Sequence, residues 1–333
     1  MAITVAILGA GFMGSAHAAN YKALGERVRV KWVCSQTAER AARVAETVGA
    51  RVTADLDAAI ADPEVDAVDI CLPTSLHRTA AERAFEAGKH VFLEKPIALT
   101  IEDADAIVAA AAASGRVFMV GLVLRFWPEY VELQRRVAAG ELGRPRAVSA
   151  LRLSPPADWN DWMADRSQSG GTPVDLMIHD FDQANWLLGE PRSVYASEPA
   201  PNYVHAVVSY DGASAVVEGG MCMPRSYLFS SNIRVLCDGG VAEYAFSAAP
   251  VESEGNIGAS YSARGLRLYP AGGDPTTVDV ESADPWGPEI AYFVECVEQD
   301  GEPEQGTGEQ ARDALRVSLA VALSLESGRP EPV

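Results

Sequence analysis

ITVAILGAGFMG, residues 3–14, is the stretch that decides how this chain folds. Its first half is a short apolar run of the kind that is buried in a parallel sheet. Its second half is a G-x-G-x-x-G loop that opens into helical composition. Alone, such a glycine pattern is weak, because glycines punctuate many loops. Between a strand and a helix, with a second strand at residues 28–34 completing a βαβ unit, it predicts a dinucleotide site. Gly9 makes the tight turn, Gly11 lets backbone amides approach a pyrophosphate, and Gly14 lets the helix pack on the strand. The helix N-terminus favours the anion, and Phe12 and Met13 line the cofactor between the glycines.

The same grammar continues outward. Short apolar runs at residues 51–53, 67–72, 90–93 and 117–121 alternate with alanine-rich helical stretches such as AERAARVAETVG and TAAERAFEAG. Thr100-Ile101-Glu102-Asp103 has capping-box spacing and predicts another helix start. Alternation of this kind predicts an α/β Rossmann domain with a parallel sheet over residues 1–122. After Gly121 the pattern changes. A helix-like segment at 128–139 leads into period-two runs at 147–153, 204–210, 215–219, 232–237 and 241–246, and two helical stretches (289–299 and 309–327) close the chain. These predict a second, α+β domain over residues 123–333 with a mostly antiparallel sheet.

Composition narrows the partners. The 333 residues are 48% hydrophobic and 22% charged, a globular composition with length enough for two domains. With 27 basic and 46 acidic side chains, the net charge of −19 repels phosphate backbones and anionic membrane surfaces, so neither nucleic acid nor membrane is expected as a partner. Cys34, Cys71, Cys222, Cys237 and Cys296 form no C-x-x-C pair, which predicts free thiols and no zinc site. The amino terminus lacks a basic leader and no apolar run reaches membrane-spanning length, so the expectation is a cytoplasmic protein.

An NAD site usually ends its second strand in an acid that grips the ribose 2′-hydroxyl. Here the strand ends Val33-Cys34-Ser35-Gln36-Thr37, with no carboxylate at its tip. Ser35, Gln36 and Thr37 offer hydrogen bonds to a 2′-phosphate, and Arg40 is near enough to help neutralise it. The cofactor is read as NAD or NADP, leaning to NADP, and neutral tips also occur with dual use.

Ligands of a parallel sheet bind outside the carboxyl ends of its strands. Besides the glycine loop, two segments stand at such ends: Pro73-Thr74-Ser75-Leu76-His77 and Glu94-Lys95-Pro96. Pro73, Thr74, His77, Glu94, Lys95 and Pro96 therefore join the cofactor site. Most Glu–Lys neighbours in turns are solvated pairs. Position in the crevice is what favours a working lysine here, able to donate to a reacting oxygen.

These residues resemble those of the Gfo/Idh/MocA oxidoreductases, which include glucose–fructose oxidoreductase and inositol dehydrogenase. The resemblance covers nearly the whole chain, through GAGFMGSAH, PTSLH, AGKHVFLEKP, GLVLRFWP, GELGRP and SGGTPVDLMIHDFDQANWLLG. It implies that Lys95 of the EKP motif contacts both nicotinamide and substrate. It also implies a large open sheet in the second domain, used for assembly into a homodimer or homotetramer.

Thr172-Pro173-Val174-Asp175 reads as a helix start, with Thr172 as N-cap. At 100° per residue Val174, Ile178, Phe181 and Leu188 form an apolar stripe, while Asp175, His179, Asp182 and Trp186 form another. Asp175 as a cap and His179 as a satisfied histidine are the ordinary fates of such residues. The resemblance implies instead that His179 exchanges the substrate's hydroxyl proton and that Asp175 hydrogen-bonds the substrate. A metal at His179-Asp180-x-Asp182 fails because Asp180 projects to another side of the helix, so no metal is expected. The loop Asp158-Trp159-Asn160-Asp161-Trp162 has a composition suited to sugars and cyclitols; Trp159, Trp162, Arg125 and Arg166 are read as substrate contacts. His77 lines the crevice, while His17 is read as packing near the glycine loop and His90 and His205 as structural.

The expected activity is hydride transfer between a nicotinamide and the secondary alcohol or ketone of a sugar, cyclitol or related polyol. His179 takes the hydroxyl proton and Lys95 stabilises the developing oxyanion. Two alternatives are glycoside cleavage through transient oxidation and a non-catalytic dinucleotide-sensing regulator. Against the second stands the complete set of Lys95, Asp175 and His179.

Overall fold

A computed structural model describes residues 2–156, 161–248, 261–281 and 284–333. The chain forms two compact units, Met1–Val123 with Asp284–Arg312, and Leu124–Ala283 with Asp313–Val333. Among the described residues no helix is long and apolar enough to cross a membrane.

In the first unit, β1 (Ile3–Leu8), β2 (Val28–Cys34), β3 (Arg51–Thr53), β4 (Ala67–Ile70), β5 (His90–Leu93) and β6 (Phe118–Val120) form one parallel sheet in the order 3-2-1-4-5-6. β1, β4, β5 and β6 are buried along their whole length, which is why they read as unbroken apolar runs rather than alternating ones. Helices α1 (Phe12–Ala23), α2 (Ala38–Val48), α3 (Leu56–Ile60), α4 (His77–Glu86) and α5 (Ile101–Ser114) connect the strands. The Thr100 hydroxyl accepts from the Asp103 amide at 3.1 Å, as the capping spacing predicts, and α5 ends on left-handed Gly115. Strand order reverses at β1 and β4, so the crevice lies where the loops after β1 and β4 diverge.

The second unit holds α6 (Pro128–Ala138), β7 (Pro145–Leu153), the short helices α7 (Asp161–Ala164) and α8 (Arg166–Ser169), and α9 (Ile178–Leu188). Strands β8 (Ser193–Ala200), β9 (Tyr203–Tyr210), β10 (Ala213–Gly220), β11 (Phe229–Cys237), β12 (Gly240–Ala248), β13 (Tyr261–Pro270) and β14 (Thr276–Val278) follow. The chain then forms α10 (Trp286–Gln299), α11 (Gly308–Ser327) and the terminal β15 (Glu331–Pro332). The nine-stranded sheet runs 14-13-12-11-7-10-9-8-15 and is antiparallel except for the β7–β10 pair. Val204, Ala206, Val208 and Tyr210 of β9 point inward and alternate with exposed residues, so one face is covered and the other open. Two bidentate ion pairs are buried in this unit: Arg152 on β7 with Asp180 on α9 (2.8 and 3.0 Å), and Arg125 with Asp182 (2.7–3.0 Å).

Three expectations are corrected. A single cut at residue 122 does not describe the chain, because α10 returns to the first unit. Its Ile290, Phe293 and Val294 are fully buried, and the Phe293 ring packs 5.3 Å from that of Phe92. Thr172 is not an N-cap: Gly171 precedes a π-turn at Thr172–Leu176, and α9 begins only at Ile178. Strands β8, β13, β14 and β15 were not anticipated. β8 reads SVYASEPA, whose proline and charge break the period, while β14 and β15 span 3 and 2 residues.

Candidate active site

The glycine loop has the geometry its sequence predicts. Gly9 adopts φ +112°, and a Cβ there would stand 2.2 Å from the Cys71 carbonyl oxygen. A Cβ on Gly14 would stand 2.0 Å from the Gly9 oxygen, so neither position tolerates a side chain. Around Gly11, by contrast, the space is open to 4 Å, and no side chain caps the helix that starts after it. An open, uncapped helix N-terminus behind a tight turn fits a pyrophosphate. Met13 is half-buried, and the Phe12 ring meets Trp286 of α10 edge-on at 5.9 Å.

At the tip of β2, the Gln36 side-chain amide donates to the Ala54 carbonyl at 3.0 Å. The Ser35 hydroxyl accepts from the Thr37 amide at 3.1 Å. Arg40, on the first turn of α2, is half-buried.

The PTSLH and EKP segments meet at the carboxyl ends of β4 and β5. His77 is buried and stitches them together: its Nδ1 lies 2.9 Å from the Pro96 carbonyl and its Nε2 2.9 Å from that of Leu72. Burial pushes its pKa down, so the neutral ring donates to one carbonyl at a time. Thr74 is buried and Pro73 starts the short turn before α4. The Lys95–Pro96 peptide is cis. Lys95 is half-buried, and its backbone N–H donates to Glu94 Oε2 at 3.0 Å.

Beneath these loops lies a cluster that sequence reading missed. His17 on α1 is wholly buried, with Nδ1 2.9 Å from Asp69 Oδ2 and Nε2 3.2 Å from Glu94 Oε1. The Cys71 sulfur lies 3.3 Å from the same Nδ1, and Tyr21 Oη is buried beside Asp69. Glu289 of α10 is also wholly buried, and neither of its carboxyl oxygens has a hydrogen-bond partner among the described residues. Burial, then the nearby Glu94, push the Glu289 carboxyl well above the ordinary carboxylate range. Unfolded, that group ionises near about pH 4.3. Folded, it holds its proton to higher pH, so the native chain binds more protons and stability falls as pH rises above the unfolded value. Glu289→Met is therefore expected to stabilise the protein by about 1–3 kcal/mol near neutral pH and by less near about pH 4. Urea unfolding at both pH values checks this; equal or lower stability of the variant near neutrality would count against the buried, proton-holding carboxyl.

In the second unit, Asp175 is buried within the π-turn and His179 is half-buried on the first turn of α9. Glycines set this segment. Gly170 and Gly171 take φ +76° and +71°, and a Cβ on Gly170 would strike Val174 at 2.5 Å. A Cβ on Gly219 of β10 would strike Met177 at 2.2 Å, so that glycine lets the turn seat against the sheet. Of the expected polar stripe, Asp182 is buried against Arg125, whose guanidinium also stacks 4.9 Å from the Trp186 ring. Arg125 is thus held within its own unit. Arg166 donates to Glu198 at 2.9 Å and to Asn202 at 3.2 Å. Trp162 is half-buried on α7, whereas Trp159 lies outside the described residues.

Comparison with known proteins agrees with the fold. Residues 3–122 match a family described as an oxidoreductase family with an NAD-binding Rossmann fold, and residues 130–243 match the GFO/IDH/MocA C-terminal domain. Inositol 2-dehydrogenase 4 of Saccharopolyspora erythraea is 31% identical over 256 residues, 72% of this chain and 73% of that one. The scyllo-inositol 2-dehydrogenase (NAD(+)) of Bacillus subtilis is 34% identical over 191 residues, 56% of this chain and 54% of its own. Among solved structures, UDP-N-acetylglucosamine 3-dehydrogenase from Acidithiobacillus ferrooxidans superposes with a TM-score of 0.80 at 28% identity, covering 98% of this chain and 99% of that one.

Proposed function

The chain belongs to the Gfo/Idh/MocA oxidoreductase family, and on that premise we propose that it moves hydride between a nicotinamide and a secondary alcohol or ketone on a polyhydroxylated ring. The observation that carries the reading is Lys95 at the carboxyl end of β5, beside the reversal point of a sheet whose glycine loop fits a pyrophosphate. The names of the relatives specify two cyclitols and a nucleotide sugar, which supports a polyol as substrate.

When bound, the nicotinamide supplies the hydride donor or acceptor. The chain's own groups handle the proton and the charge. His179 takes the hydroxyl proton at a ring nitrogen, since a histidine accepts and returns a proton near neutral pH without large cost. Lys95 Nζ donates to the oxygen as its charge develops. Asp175 accepts a hydrogen bond from a neighbouring hydroxyl, and Trp162 offers an aromatic face to the ring.

NAD binding follows from the family; the finer preference is ours. With Ser35, Gln36 and Arg40 at the β2 tip and no carboxylate among them, NADPH is expected to bind at least as tightly as NADH. Titrating each form against tryptophan fluorescence tests both points, with Gly14→Ala as the control that ties the signal to the loop. Binding of neither form would leave the glycine loop a mere turn and remove the dehydrogenase reading. NADPH binding more than about tenfold weaker, some 1.4 kcal/mol, would reverse the preference.

The open face of the nine-stranded sheet supports assembly. Tyr195, Val207 and Val216 stand in register across β8, β9 and β10, each more than 40% exposed. We read this face as the contact between copies in a homodimer or homotetramer. Val207→Glu is expected to yield monomers by light scattering; an unchanged mass would place the contact elsewhere. The five cysteines are free thiols, which supports a reducing, cytoplasmic setting.

A further inference from the structure

We propose that His17 is a positioning residue for the Lys95 turn: its ring, clamped between Asp69 and Glu94, holds the Glu94 carboxylate where it accepts the Lys95 backbone N–H. The proposal rests on the reading of Lys95 as the lysine that meets the substrate.

Three observations carry it. First, Glu94 is buried, at 6% exposed, and its two carboxylate oxygens have separate duties. Oε2 accepts from the Lys95 N–H at 3.0 Å, while Oε1 lies 3.2 Å from His17 Nε2, an ion-pair contact that lacks hydrogen-bond geometry. A carboxylate taken this far out of water needs an opposite charge, and His17 is the cation that faces it. Second, His17 is itself oriented. Asp69 holds Nδ1 from the far side at 2.9 Å, and the Phe92 ring packs at 5.3 Å, so the ring turns Nε2 toward Glu94. Third, the Glu94 carboxylate is seated close to backbone that carries no side chain. It lies against Gly121 at the end of β6, where a Cβ would approach Oε1 to 3.2 Å. Glycine at that position leaves the carboxylate its place.

The groups facing His17 come from every element packed on it: Asp69 and Cys71 from β4 and its end, Glu94 from the end of β5, Tyr21 from α1 itself and Glu289 from α10. Burial alone would pull the imidazole down, but Asp69 and then the Cys71 sulfur outweigh it, and the ring holds its proton well above the ordinary histidine range. Burial pushes the Cys71 thiol up as well, so Asp69 is the charge that keeps the imidazolium. His17 Nδ1, Asp69 and Cys71 also lie within the span of a metal site, but each is hydrogen-bonded to the others at 2.9–3.3 Å, and that thiol keeps its proton. The linkage has one sign. The clamp is intact while His17 is protonated and loosens as pH rises through its raised pKa.

The test needs no substrate. The chain has four lysines (Lys22, Lys31, Lys89 and Lys95), so competitive acetylation with acetic anhydride, read by mass spectrometry, reports Lys95 separately. In the native chain its labelling rate is expected to show an alkaline inflection beyond its own titration. That inflection should coincide with loss of the His17 proton, followed by NMR among the five histidines. His17→Gln is expected to abolish the inflection and change Lys95 labelling by at least about threefold at neutral pH, a coupling large enough to resolve. Glu94→Gln keeps an oxygen for the Lys95 N–H but removes the charge. It should lower the His17 titration and abolish the same inflection, and the double variant should add nothing further. Should His17→Gln fail to fold, Glu94→Gln alone still decides. Lys95 labelling identical to native in folded Glu94→Gln, with His17 titrating as before, overturns the proposal. Normal turnover of Lys95→Ala would instead remove the reading on which it rests, while leaving the labelling coupling intact.

Discussion

Lys95→Ala is expected to lower turnover by about 10²–10³-fold, the cost of removing one donor to a developing oxyanion, while NADH affinity stays within about threefold. The split follows from where the two jobs are done. On the proposed reading the backbone amides of the loop around Gly11, where the space is open to 4 Å, would hold the pyrophosphate, and none of that loop's geometry depends on the lysine side chain. Lys95→Arg is expected to recover little, because a planar guanidinium does not place a donor where an ammonium does. Measured on the polyol that a substrate screen identifies, a fall in kcat with near-native NADH binding supports the assignment. Near-normal turnover sinks it.

His179→Asn should cost about 10²–10⁴-fold in kcat, the usual worth of a positioned general base. Asparagine keeps a hydrogen-bonding side chain at the first turn of α9 but cannot take the hydroxyl proton. In the alcohol-oxidising direction the native rate should rise with pH through an inflection, as the imidazole becomes free to accept. The variant should lose that inflection. A variant that raises the Michaelis constant but keeps both kcat and the pH profile would mean that His179 only holds the substrate and that the base lies elsewhere. Asp175→Asn offers a graded comparison: as a hydrogen-bonding contact rather than a proton carrier, it should raise the Michaelis constant and leave the inflection in place.

Much of the first unit was legible because its information is local. A fully buried parallel strand writes itself as an unbroken apolar run, and β1 and β5 fall at the residues their runs predict. Thr100 caps α5 through a bond three residues long, which spacing alone reveals. The second unit was harder to read. Its strands alternate, and the pattern weakens where β8 carries Glu198 and Pro199. The wheel drawn over residues 172–188 assumed one regular helix, but a π-turn occupies Thr172–Leu176, and within α9 it is Leu187 rather than Leu188 that is buried. The Gly170-Gly171 pair was the available signal, since two successive positive φ values do not enter a helix smoothly.

By itself, then, the sequence determined the α/β class, the glycine cradle and the placement of Lys95 at a strand end, because each is set by residues a few positions apart. Tertiary structure alone decided what the buried charges do. His17 meets Asp69 across 52 positions and Arg125 meets Asp182 across 57, and the helix bearing Glu289 returns to the first unit from beyond the second. Such pairs leave no periodic trace. A charge is tolerated in a core only where a distant partner meets it, and only the folded chain brings that partner within hydrogen-bonding distance.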